Sequence, residues 1–209
     1  GDNEADCTAT WQPDYCDSQG LKLRRDTKRL TELISINNAI LDYGNNHKAC
    51  SNNSLISCEG DTDCPSGGTC EPYYPPLNSG SYLDGLSTSR WPSWQDTLAS
   101  TLGIPLTTDP INLFNGCPDD YSSETCWNET TWDFYCPANS LIYMYNIVGV
   151  GQEYYLGANF EYDMHSPWLG ISFSGNLYNP IPAINFDINT PLHCDDNSVD
   201  APGFPFSPY

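Results

Sequence analysis

The sequence predicts an α+β fold in which one long N-terminal helix packs on a small antiparallel β-sheet, with long loops stapled by disulfides. Three observations carry that expectation. A helical apolar stripe begins at Leu21, two late segments rich in Tyr, Ile and Val alternate with a period of two, and ten cysteines are spread through a chain holding 17 prolines and 16 glycines. A chain of 209 residues can bury one sizeable core but hardly two, so one domain is expected over 1–209.

Residues 1–20 carry Cys7, Trp11, Pro13, Cys16 and Gly20 among polar residues and read as an irregular, stapled lead-in. Over 21–43, Leu23, Leu30, Leu33, Ile34, Ile40 and Leu41 recur at helical spacings, with Asn37 interrupting the stripe. Asp17 or Ser18 can cap the start, and Gly44 can supply the left-handed residue that ends a helix.

Residues 44–140 read as cysteine-rich loops with a short helix near 93–102. Ser93 is placed to cap that helix and Asp96 to answer it three residues on, while Trp94, Leu98 and Leu102 share a face and Gly103 closes it. The prolines at 105 and 110 force an extended path through Ile104-Pro105-Leu106-Thr107-Thr108-Asp109-Pro110. The sheet is expected over 141–173: Leu141–Val148 and Gln152–Glu161 form a hairpin about Gly149-Val150-Gly151, and Leu169–Phe173 adds a third strand. A proline-rich ordered tail, 174–209, is held by Cys194.

The cysteines, Cys7, Cys16, Cys50, Cys58, Cys64, Cys70, Cys117, Cys126, Cys136 and Cys194, are even in number and lack the spacing of zinc knuckles or haem attachment. Five disulfides are expected, in an oxidising compartment, which makes this a secreted or cell-surface protein. Short loops favour Cys7 with Cys16 and Cys126 with Cys136. No run approaches the roughly 18 apolar residues of a membrane helix. No signal peptide is visible at Gly1, so an export signal is expected to have been removed.

With 27 Asp and Glu against 7 Lys and Arg, the formal net charge is −20, which argues against nucleic acid as a partner. Lys22, Arg24, Arg25, Lys28 and Arg29 nevertheless fall within eight positions. They form either a solvated helix face or an assembly surface that docks on an acidic neighbour, such as a second copy of the chain.

Three acidic clusters could hold a hard cation: Asp61 with Asp63, Asp119 with Asp120, and Asp195, Asp196 and Asn197 followed by Asp200. None follows the EF-hand pattern, and solvated loop carboxylates are the competing reading. His47, His165 and His193 are scattered, and no nucleophile elbow, zinc-protease or phosphate-loop motif occurs, so no enzymatic activity is expected. Six tryptophans and fourteen tyrosines exceed what so small a chain ordinarily carries. Most of Trp91, Trp94, Trp127, Trp132 and Trp168 should be buried, and any that are exposed would suit glycan or protein contact. Asn52 and Asn128 are formal glycosylation acceptors.

The order of elements resembles the globular domain of type IV pilins and type II secretion pseudopilins over residues 21–163. Arg25-Asp26-Thr27-Lys28-Arg29-Leu30 looks like the family's basic mid-helix entry, Pro105 to Pro110 like its Leu-Pro-x-Asp-Pro segment, and Tyr154-Tyr155-Leu156-Gly157-Ala158-Asn159-Phe160-Glu161 like its closing strand. The resemblance implies a non-enzymatic structural subunit of a surface filament, partnered by copies of itself or by other surface proteins. A monomeric adhesion module binding glycan or protein is the alternative. Major pseudopilins hold calcium in a loop after the sheet, which singles out Asp195, Asp196, Asn197 and Asp200 by location. The family's unbroken apolar helix is replaced here by Cys7, Trp11, Pro13 and Cys16, so polymerisation through such a helix is not expected.

Overall fold

The computed structural model describes residues 19–77, 82–137, 140–148, 151–161 and 170–175, and their architecture is α+β. Helix α1 (Gln19–Asn46) runs past the predicted end at residue 43. Gly44 does not terminate it. A Cβ at that position would lie 2.6 Å from the Tyr74 ring, so the glycine is where an aromatic ring rests directly on helix backbone.

The buried face of α1 is turned from the one expected. Leu33, Ile36 and Ile40 are buried with Asp26, Arg29 and Asn37, whereas Ile34 is 37% exposed and Leu23 lies in solvent. At about 100° per residue, Arg29, Leu33, Ile36 and Ile40 fall on one side of the helix and Ile34 falls well round from them. Asn37 does not break the stripe: it accepts a hydrogen bond from the Tyr154 hydroxyl at 2.6 Å, inside the core.

Residues 44–90 contain strands where loops were expected. Three short antiparallel strands, β1 (Lys48–Cys50), β2 (Asn53–Ser57) and β3 (Cys70–Pro72), form a sheet in the order β2-β1-β3. Two disulfides, Cys50–Cys64 and Cys58–Cys70, staple it. Strand β4 (Leu86–Thr88) then joins the edge of the main sheet.

The Trp-led helix, α2, is a π-helical stretch Trp94–Ala99 continued by Ser100–Leu102 and closed by Gly103 at φ +69°. Ser93 makes no capping bond, because its hydroxyl is 2.7 Å from that of Ser87 in the interior. A two-strand ribbon follows, β5 (Trp127–Asn128) with β6 (Asp133–Phe134). The expected hairpin is present as β7 (Tyr143–Val148) and β8 (Glu153–Asn159), and β9 (Gly170–Gly175) is the third strand. The main sheet is antiparallel in the order β4-β7-β8-β9.

Period-two alternation gives this sheet two apolar faces. Tyr143, Tyr145, Tyr154 and Leu156 pack with Leu33, Ile36 and Ile40 of α1 and with Trp94 and Leu98 of α2. On the other side Leu86, Ile142 and Met144 pack with Trp91, Phe114, Trp127 and Phe134. The cysteine-bearing loop thus covers the face that α1 leaves open.

Cys126 pairs with Cys117 and not with Cys136. Cys126 sits beside β5 at φ +49°, its carbonyl accepting from Tyr135 N across the ribbon, and the Cα atoms of Cys126 and Cys117 are 5.3 Å apart. Sequence distance is a poor guide there because the ribbon turns back on itself. Cys136 is also disulfide-bonded, and no described cysteine is free. The expected Cys7–Cys16 bridge and Cys194 lie outside the described residues.

Candidate functional site

The most concentrated chemistry among the described residues is a buried ion cluster at one end of the main sheet. Arg29 has no exposed side-chain surface. Its Nε and Nη2 donate to the two oxygens of Asp109 at 2.5 and 2.9 Å, and its Nη1 donates to Asp26 at 2.7 Å and to Glu161. Arg25 adds a second guanidinium, with Nε 2.7 Å from Glu161 and Nη2 on the other Glu161 oxygen.

Backbone groups complete the cluster. Glu161 N donates to both Asp26 oxygens, at 3.0 and 3.2 Å, while Asp109 Oδ1 accepts from Ile111 N at 2.8 Å and from Asn112 N at 3.2 Å. Nearby, the buried Tyr143 hydroxyl donates to Glu32 at 2.6 Å.

Three carboxylates meeting two guanidiniums in the interior is stable only because each charge has a partner. Burial works against the charge on Arg29, but the fork to Asp109 and the contact with Glu161 outweigh it and hold the proton more tightly than usual. Burial likewise would raise Glu161, yet Arg25 and Arg29 prevail and hold its carboxyl below the ordinary value. Tyr143 is shifted up, first by burial and then by its bond to Glu32.

This geometry corrects the assembly surface expected from the sequence. Arg29 is wholly interior and Arg25 is spent on Glu161, so neither presents charge to a neighbour. Arg24 and Lys28 are exposed and Lys22 is half-exposed, Lys28 lying 3.7 Å from Glu32 one turn on. The signal that sets Arg29 apart was in the sequence: it is four, seven and eleven residues from Leu33, Ile36 and Ile40, on the core side of the helix.

Asp195, Asp196, Asn197 and Asp200 lie outside the described residues. In the other acidic pairs, three of the four carboxylates accept hydrogen bonds from the protein itself. Asp63 Oδ2 accepts from Glu59 N and Gly60 N at 2.9 and 3.1 Å, which holds its carboxyl below the ordinary value, and Asp61 Oδ1 accepts from Cys70 N at 2.8 Å. Asp120 accepts from Asn128 at 3.0 Å, and Asp119 is exposed. The sulfurs of Cys50, Cys58 and Cys64 lie within 4.8 Å of one another, but as members of two adjacent disulfides they offer no thiolate to a metal.

Asn128 is buried and bonded, not the surface acceptor its tripeptide suggests. Asn52 is exposed but its amide donates to the Pro65 carbonyl. Trp91, Trp94 and Trp127 are core residues as expected, Trp132 is exposed, and Trp168 lies outside the described residues.

A shallow groove of about 250 Å³ lies between the last turn of α1 and the end of α2, where His47 stacks on Tyr43 with ring centroids 3.9 Å apart. No described helix is long and apolar enough to cross a membrane, and the disulfides are those of a protein from an oxidising compartment. No family model, curated protein or solved structure matches the chain.

Proposed function

We propose that this chain is a non-enzymatic structural subunit of an extracellular, pilus-like filament or appendage, built on a head similar to those of type IV pilins and pseudopilins. One observation carries the reading. The three short motifs of the resemblance lie far apart in the chain, yet each sends a side chain into the same cluster: Arg25, Asp26 and Arg29 from the first, Asp109 from the second and Glu161 from the third. Chance matches have no reason to meet in space. Motifs that form the closing contact of one fold do.

Assembly in this reading uses the cations that the cluster leaves over. On a chain of net charge −20, like surfaces repel, and contact is favoured where the clustered Arg24, Lys28 and Lys22 meet a neighbour's acidic loops. Such a contact joins two different surfaces, head to tail, and propagates into an open filament. Electron microscopy of the concentrated protein tests this: filaments are expected, and a field of monomers at every concentration would refute the reading.

A second reading, a monomeric surface module that binds glycan or protein through aromatic side chains, is favoured by the exposure of Trp132.

A further inference from the structure

The β5–β6 ribbon ends in a tip, residues 129–132, that is fixed more firmly than a connection needs. Asn128 Oδ1 accepts from Thr130 N at 2.8 Å and Thr131 N at 3.1 Å, its Nδ2 donates to Asp120 at 3.0 Å, and Trp132 N donates to Asn128 O at 2.9 Å. The Cys117–Cys126 disulfide anchors the start of the ribbon.

Trp132 itself sits at φ +57°, a left-handed conformation that bulky side chains rarely adopt. Backbone of this kind persists only where surrounding bonds over-determine it, and it concentrates at binding sites. Here it delivers an indole to solvent. Trp132 is 65% exposed, and its ring meets Trp127 edge to face at 6.4 Å. The core gains little from a tryptophan held there.

A fixed polar group stands next to Trp132 in the chain. Asp133 follows it in the chain and faces Asn128 across the ribbon, and the Tyr121 hydroxyl donates to Asp133 Oδ2 at 2.7 Å. That bond, helped by burial, pushes the Tyr121 hydroxyl up to about 12. The Tyr121 ring is itself braced against Tyr135 at 6.0 Å.

A flat apolar surface next to a carboxylate that is itself held in place matches a molecule that is apolar on one face and carries hydroxyl donors at its rim. The geometry points to a saccharide subsite, in which Trp132 stacks on the C–H face of a pyranose and the Asp133 carboxylate, fixed by Tyr121, accepts hydrogen bonds from its hydroxyls. The saccharide is neutral, because Asp120, Glu129 and Asp133 crowd the tip of an already acidic protein and repel uronic and sialic acids. This inference rests on the exposed-aromatic reading and not on self-association, so it and the filament reading can fail separately.

The test is an NMR titration of the folded full chain with maltotriose, cellotriose and chitotriose, each to about 10 mM so that millimolar affinities are reached. Trigalacturonate serves as the acidic counterpart. The Trp132 indole N–H signal is assigned by its absence from Trp132→Gly, a variant that keeps the left-handed backbone without strain. At least one neutral trisaccharide should shift that signal saturably while trigalacturonate does not. Trp132→Gly should weaken binding by about tenfold or more with no loss of melting temperature, and Trp132→Phe should retain part of the affinity. The proposal is overturned if no neutral trisaccharide moves the Trp132 signal, if trigalacturonate binds equally well, or if Trp132→Gly binds as tightly as the parent.

Discussion

Arg29 shows how far a residue's role can stand from its type. A cation in a basic run on a helix is ordinarily solvated, and the run Lys22–Arg29 invites that reading. Its phase on the helix decides otherwise, and the cluster it enters sets a large dependence on its partners. Replacing Arg29 with Met leaves Asp109 and Asp26 buried without their counter-ion and Glu161 with Arg25 alone, which should cost about 3–5 kcal/mol in urea unfolding. The same substitution would be nearly neutral for a surface arginine.

Glu161 supplies the pH dependence at this scale. Its carboxyl is held below the ordinary value of 4.5, so its contribution is complete above that pH and is lost as the pH falls through the folded-state value. Thermal unfolding of the parent and of Glu161→Gln should therefore differ most near neutrality, and the gap should narrow below about pH 4.5. A gap that stays constant down to about pH 3 would mean that Glu161 carries no such coupling.

Among the elements, those with a strong period were legible and those without one were not. The start and body of helix α1, the β7–β8 hairpin and the close of α2 at Gly103 lie where periodicity and turn residues placed them, though α1 continues through Gly44. Strands β1 to β4 are three to five residues long, too short for alternation to stand out from a run of Ser, Asn and Gly. Their pairing comes from disulfides and long-range ladders that no local window contains. The rotation of α1 has a different origin: Asn37 and Arg29 look polar in sequence but are satisfied inside, so counting apolar residues alone put the centre of the stripe too far toward Ile34. Truncation discriminates the two faces. Ile36→Ala or Ile40→Ala should cost about 2–5 kcal/mol, whereas Ile34→Ala should cost under about 1 kcal/mol. Equal losses at Ile34 and Ile36 in denaturant melts would refute the observed packing.

At the scale of the whole molecule, charge is both the strongest compositional signal and the one most altered by folding. Of the five clustered cations, the fold spends two on its own closing contact, and an assembly surface must be made from Lys22, Arg24 and Lys28. Composition alone does not divide the five: helical phase turns Arg29 inward, and the meeting of α1, the Asp109 segment and the chain just after β8 engages Arg25 as well. The division also separates two kinds of failure, since reversing Arg29 should break the fold, while reversing Arg24 and Lys28 should leave the cluster intact and remove the outward charge together with the solvent-facing Lys28–Glu32 pair. Sedimentation velocity of the parent and of Arg24→Glu/Lys28→Glu, at low salt and near physiological ionic strength, is the most direct measurement. At the latter the screening length is about 8 Å. Concentration-dependent assembly of the parent that weakens with salt and vanishes in the double variant is the predicted result, with both proteins melting at similar temperatures; a parent that stays monomeric at low salt, or a double variant that assembles as well as the parent, would contradict the filament reading.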